Sequence, residues 1–148
     1  MREYHRSATV PYAPESMFDL IADVDAYSDF VPGCNDSFAV PATPAPGGAQ
    51  EVLATLGIAL ARQAWHFTTR NRLEAPHRIH MSLVKGPFSA LEGEWRIEPL
   101  AGGGSRLELD MRFEFASRLK DMLLGPVFEL TCGQLVHAFL KRADRLYG

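Results

Sequence analysis

A chain of 148 residues, 47% hydrophobic and 22% charged, has the length and composition of one globular domain able to bury its own core. A net charge of −3 argues against DNA binding, which depends on broad phosphate neutralisation. No apolar run approaches the ~18–20 residues that a membrane span requires. The two cysteines, Cys34 and Cys132, have no matching histidine pair, so they read as reduced thiols and not as a zinc site.

Residues 1–6 contain no apolar segment of the signal-peptide kind, which leads us to expect a cytoplasmic protein. Residues 3–10 alternate and stop at Pro11, as a first strand would. Pro14 suits a first helical turn, where its missing N–H would be unpaired anyway, and Glu15 adds a favourable charge there. Met17, Leu20, Ile21 and Val24 follow at helical spacing, predicting a helix over about 14–24 with Ala13 at a position whose side chain cannot cap it. Asp25 to Phe30 form a further short turn closed by Pro32 and Gly33, and the Pro/Gly-rich stretch 41–49 reads as a loop.

The middle of the chain is β-patterned. Residues 51–60 place Val52, Ala54, Leu56, Ile58 and Leu60 on one face. Residues 62–73 set Trp65 and Phe67 against Arg62, His66, Arg70 and Arg72, and 78–84 set Ile79, Met81 and Leu83 against Arg78, His80 and Ser82. Residues 89–98 alternate Leu91, Gly93, Trp95 and Ile97 with Glu92, Glu94 and Arg96. In 105–115 the pattern is cleanest: Leu107, Leu109, Met111, Phe113 and Phe115 face one way, and Arg106, Glu108, Asp110, Arg112 and Glu114 the other. Period-two patterning of this kind marks antiparallel strands with one wet face. Turns fall at Ala75–His77 and Gly102–Gly104.

After Ser117 the period changes. Phe128, Cys132, Leu135, Phe139, Ala143 and Leu146 recur every three or four residues, with Val136, Leu140 and Tyr147 beside them. Gly125-Pro126 would break such a helix, so the expectation is a short turn at 118–124 and a helix of roughly 20 residues, ~30 Å long, starting at Pro126. The predicted fold is therefore α+β: residues 1–148 as a single domain, a curved antiparallel sheet of about seven strands around one long C-terminal helix. Patterning leaves open whether the space between sheet and helix is a filled core or a ligand cavity.

Several stretches, in order and at family-like spacing, carry a resemblance that spans almost the whole chain. They are VPYAPESMFDLIADV at 10–24, YSDFVPGC at 27–34, GPFSALEGEW at 86–95, FEF at 113–115, GPVF at 125–128 and AFLKRA at 138–143. With these the chain resembles the coenzyme Q-binding START-domain family of the wider polyketide cyclase/START-like superfamily, which includes RatA-type bacterial proteins and mitochondrial coenzyme Q-binding proteins. It departs from the family pattern at Ala13, where Ser is common, and at Gly33, where an aromatic is common.

The resemblance implies a helix-grip fold that binds coenzyme Q (ubiquinone) or a related polyprenyl lipid, as a carrier supporting respiratory electron transport. Ubiquinone is then a bound ligand and no catalytic cofactor or metal is expected. The ligand-contact candidates are Trp65, Phe67, Trp95, Met111, Phe113 and Phe115 on the sheet, with Phe128, Cys132, Leu135, Val136 and Phe139 on the helix. Tyr27, Phe30, Pro32, Pro87 and Phe88 are entrance candidates, with Phe88 reaching a membrane, which adds transient peripheral contact with the inner membrane to the cytoplasmic expectation. The family also implies an alternative partner: a RatA-type toxin binds the large ribosomal subunit and blocks subunit association, and Arg62, Arg70, Arg72 and Arg78 form its candidate patch. His66, His80, Glu92, Glu94, Asp110 and Glu114 alternate away from the apolar face, so no acid–base pair is expected inside.

Overall fold

The computed structural model describes all 148 residues. The chain runs β1 (Arg2–Val10), α1 (Pro14–Ala22), a 3-10 turn (Val24–Ala26), α2 (Tyr27–Phe30), β2 (Cys34–Ala39), the two-residue β3 (Thr43–Pro44), β4 (Gln50–Leu60), β5 (Gln63–Glu74), β6 (Arg78–Lys85), β7 (Phe88–Pro99), β8 (Ser105–Phe115) and α3 (Arg118–Tyr147). All strand pairs are antiparallel, in the order β1-β8-β7-β6-β5-β4-β2, with β3 appended to β4. Register shifts at Cys34/Asp36, Thr68/Thr69 and Phe88/Ala90 mark bulges, and bulges bend a sheet; the concave side receives α3.

The strand assignments follow the alternation closely. Leu107, Leu109, Phe113 and Phe115 are all but fully buried, each worth roughly 1.5–3 kcal/mol relative to exposure. The opposite, wet face is a charge lattice in which Arg96 meets Glu108 at 2.6 Å, Asp110 at 2.9 Å and Glu94 at 3.1 Å. Exposed pairs of this kind contribute little stability. Their effect is to neutralise the face: Arg70 pairs with Glu51, Arg72 with Glu74, and Arg78 with Glu74 and Glu94. The arginine patch expected there as a ribosome-facing surface is thus cancelled by acidic neighbours at three of its four members.

Helix α1 ends at Ala22, two residues early, and its Ala13 N-cap makes no side-chain bond. Met17, Phe18, Leu20 and Ile21 turn inward. Strand β2, polar along Cys34–Ala39, had no alternation by which to be assigned individually.

The largest departure from expectation is α3. It is one unbroken helix from Arg118, with Pro126 inside it. Ser117 starts it, its Oγ accepting the Lys120 backbone N–H at 3.1 Å, a cap that the expected break at Gly125-Pro126 obscured. Proline leaves one carbonyl unbonded, that of Met122, but both residues are exposed, so water can take its place. Gly125 has a separate role. A Cβ there would lie 1.9 Å from Nε of Arg2, so the missing side chain lets Arg2 cross the helix. Arg2 then meets Asp121 at 3.2 Å and Glu129 at 3.6 Å, while Asp121 also accepts the Phe115 N–H. One arginine from β1 thereby fixes the first turns of α3 to the end of β8. This helix also corrects the expectation of no membrane-length apolar run: an 18-residue window of α3 reaches a mean hydropathy of 1.3.

Candidate functional site

An apolar cavity of about 90 Å³ lies between the concave sheet and α3, with 16 hydrophobic residues among the 20 that line it. Its wall comes from most of the elements, β1, α1 and β3 excepted: Val24 from the 3-10 turn, Tyr27 from α2, Cys34 from β2, Ala54, Leu56 and Ile58 from β4, Phe67 from β5, Met81 from β6, Leu91 and Trp95 from β7, Leu109 and Met111 from β8, and Phe128, Cys132 and Leu135 from α3.

Of the ligand-contact candidates, Phe67, Trp95, Met111, Phe128, Cys132 and Leu135 line this space. Phe113, Phe115, Val136 and Phe139 lie behind it in the solid core, and Trp65 sits to one side with its indole N–H donating to the Leu60 carbonyl and Lys120 over its ring. Among the entrance candidates Tyr27 and Pro32 line the cavity, and Phe30 and Pro32 line an outer groove. Pro87 touches neither. Phe88 is buried, its ring 4.6 Å from Phe115 and 5.2 Å from Phe128, because aromatic burial in the sheet–helix seam outweighs exposure at the β6–β7 turn. It cannot reach a membrane from there.

The polar lining is sparse and went unrecognised in the sequence. Thr69 and Asn71 are both buried on β5, and Thr69 Oγ1 donates to Asn71 Oδ1 at 2.7 Å. Both residues line the cavity. Carrying the β5 alternation of Trp65 and Phe67 on by two and then four residues reaches both. From α3, Thr131 completes the set, its hydroxyl donating to the Val127 carbonyl at 3.0 Å. The Tyr27 hydroxyl is turned away and donates to the Ile21 carbonyl. Burial pushes the Tyr27 phenol well above its ordinary range, the Cys34 thiol up, and the Cys132 thiol up to about 12. At neutral pH the cavity therefore offers neutral hydroxyl, thiol and amide groups. No histidine, aspartate or glutamate lines it.

Two features of the wall bear on its size. Three water volumes would fill the cavity, and a drug-sized ligand takes ~300–1,000 Å³. The deformable part of the wall is a methionine pair: a Cβ on Gly93 would lie 2.4 Å from Sδ of Met111 and 2.8 Å from Cε of Met81. Both thioethers rest on that bare backbone, and methionine repacks readily. Pro32 borders both this cavity and the outer groove of about 1030 Å³, whose rim includes Arg6, His137, Lys141, Arg142 and Arg145.

A curved antiparallel sheet gripping one long helix, with an apolar hollow between them, defines the helix-grip class. The Zhui aromatase/cyclase from Streptomyces sp. R1128 shares this fold at a TM-score of 0.78 and 21% identity, covering 97% of this chain and 94% of that one. The chain belongs to the polyketide cyclase / dehydrase and lipid transport family, whose model matches residues 10–140. Its relatives include the ribosome association toxin RatA of Escherichia coli K12, 37% identical over 99% of this chain and 90% of the relative. They also include the mitochondrial coenzyme Q-binding protein COQ10 homolog B of Xenopus laevis, 31% identical over 99% of this chain and 59% of the relative.

Proposed function

We propose that this protein is a cytoplasmic, non-catalytic carrier that takes the ring of an isoprenoid quinone of the coenzyme Q type, or a related polyprenyl lipid, into the cavity. The observation that carries this reading is the Thr69–Asn71 pair. It sets a hydroxyl and an amide side by side in a wall that is hydrophobic at 16 of its 20 residues, a lining suited to a quinone carbonyl on an oily body. Apolar burial supplies affinity at ~25 cal/mol per Å², and the amide orients the ring. At about 90 Å³ the hollow is a resting state, and ligand entry repacks the flexible side chains of Met81 and Met111 while they keep to the wall at Gly93. The isoprenoid tail leaves past Pro32. The coenzyme Q-binding name of one relative supports the same ligand class.

The test is a titration of delipidated protein with a short-tailed ubiquinone, followed by methyl chemical shifts. Saturable shifts are expected at Met81, Met111 and Leu135. Ala54→Phe, which fills the cavity, should abolish them, and Asn71→Leu should weaken binding about tenfold through loss of one buried hydrogen bond. Absence of saturable shifts in the unaltered protein rejects the proposal.

A second reading, ribosome association, is favoured by the relatives named RatA and by the cations around the outer groove. Lys141, Arg142 and Arg145 have no carboxylate partner, unlike the paired arginines of the sheet. Failure of the unaltered protein to co-sediment with ribosomes would reject it, and co-sedimentation that survives Lys141→Glu/Arg145→Glu would reject the outer groove as the contact.

A further inference from the structure

Helix α3 has two apolar faces, and the sheet needs only one. The inner face is covered. On the outer face Leu119, Met122, Leu123 and Leu130 remain between 63% and 67% exposed, with exposed Pro126 among them. Their spacing of i, i+3, i+4, i+7 and i+11 puts them on a single stripe about 16 Å long. Isolated exposed leucines are ordinary, whereas a continuous stripe of this kind marks a contact surface.

The charges on the same helix are sorted. Arg118 and Lys120 flank the stripe, and Lys141 and Arg145 continue its line along the C-terminal half. None of these four is in an ion pair, and the helix carboxylates are engaged elsewhere: Asp121 and Glu129 with Arg2, and Asp144 with the Tyr12 hydroxyl at 2.6 Å. The outer face is thus apolar over its first half and carries unpaired cations over its second, where the neighbouring Asp144 is held by Tyr12.

From this we propose that the outer face of α3 docks the protein on an anionic lipid bilayer, leucines sunk into the acyl boundary and the C-terminal cations on phosphate headgroups. That combination is what an interfacial helix needs. The helix lies along the surface and does not span it, because its inner face stays packed on the sheet. Docking is read from the surface alone and does not depend on what fills the cavity.

The experiment is flotation of the full chain with quinone-free vesicles of phosphatidylethanolamine and phosphatidylglycerol, against vesicles of phosphatidylcholine alone. Parallel arms measure oligomeric state by light scattering and pelleting with ribosomes. Leu123→Glu/Leu130→Glu is the test variant; both side chains are exposed, so the melting temperature should hold and its constancy is checked. The expected result is flotation with the anionic vesicles, falling roughly tenfold in the variant and declining with salt. Four results overturn the proposal: no flotation of the unaltered protein, equal flotation on phosphatidylcholine, flotation unchanged in the variant, or a stable dimer that the variant splits. Ribosome pelleting lost in the variant while flotation persists overturns it as well. Because the vesicles hold no quinone, none of these outcomes bears on the carrier reading.

Discussion

Phe128→Ala removes the ring on which the helix meets the sheet. Phe128 is 4% exposed, and its centroid lies 4.7 Å from Phe113, 5.2 Å from Phe88, 6.0 Å from Phe115 and 6.2 Å from Phe67. Truncating such a ring costs ~3–5 kcal/mol, and four edge-on aromatic neighbours place this case in the upper half of that range. For a domain of this size each kcal/mol is about 2–4 °C, so the melting temperature should fall by about 10–15 °C. Urea titration followed by tryptophan fluorescence measures the loss directly, with Trp95 buried in the core as its probe. Leu130→Ala, on the exposed side of the same helix, is the control and should change stability by less than ~0.5 kcal/mol. The vacated space also joins the existing cavity, so benzene should restore part of the lost stability. A loss below ~1 kcal/mol, or a loss equal to that of Leu130→Ala, would refute the placement of this ring in the seam.

Other consequences follow from single contacts. Ala13→Ser should supply the missing cap of α1 and raise stability by about 0.5–2 kcal/mol in the same urea assay; no gain would mean that the first turn is already satisfied. Gly93→Ala should push Met81 and Met111 into the cavity, so quinone affinity drops severalfold while the melting temperature moves little; unchanged affinity counts against the methionine wall. Cys132 gives a pH dependence. An unfolded thiol releases its proton near pH ~8.5, while burial holds the folded one to about 12, so above ~8.5 the folded chain binds more protons and stability falls as pH rises. Cys132→Ala should flatten that decline between pH ~8.5 and ~10, and an unaltered slope contradicts the burial argument.

Much of this architecture was legible because one periodicity dominated each segment. In β8 charged and apolar residues alternate from Arg106 to Phe115, and the burial follows them residue by residue. The inner stripe of α3 was legible for the same reason. Its start was not, because Gly125-Pro126 is a local breaking signal, and only the distant Arg2 explains why a glycine is wanted there. Strand β2 has no apolar alternation, and its pairing with β4 is a long-range fact. At the site, sequence could name the apolar face but could not divide it. Phe113 and Met111 are neighbours on that face, yet one is solid core and the other borders the hollow, a difference set by sheet curvature. Thr69 and Asn71 escaped notice since polar residues on a strand ordinarily signal the wet side. The exposed, membrane-facing position expected of Phe88 fails for a related reason: an aromatic beside Gly-Pro looks like an exposed turn until the seam it fills is seen.

Trp95 offers the most direct measurement. It lines the cavity, it is 2% exposed, and quinones quench indole fluorescence on contact. In a Trp65→Phe background, titrating a short-tailed ubiquinone should quench Trp95 to a plateau at one ligand per chain, and Ala54→Phe should remove the plateau. Quenching that rises without saturation, or that Ala54→Phe leaves intact, would mean the quinone never enters the space beneath α3.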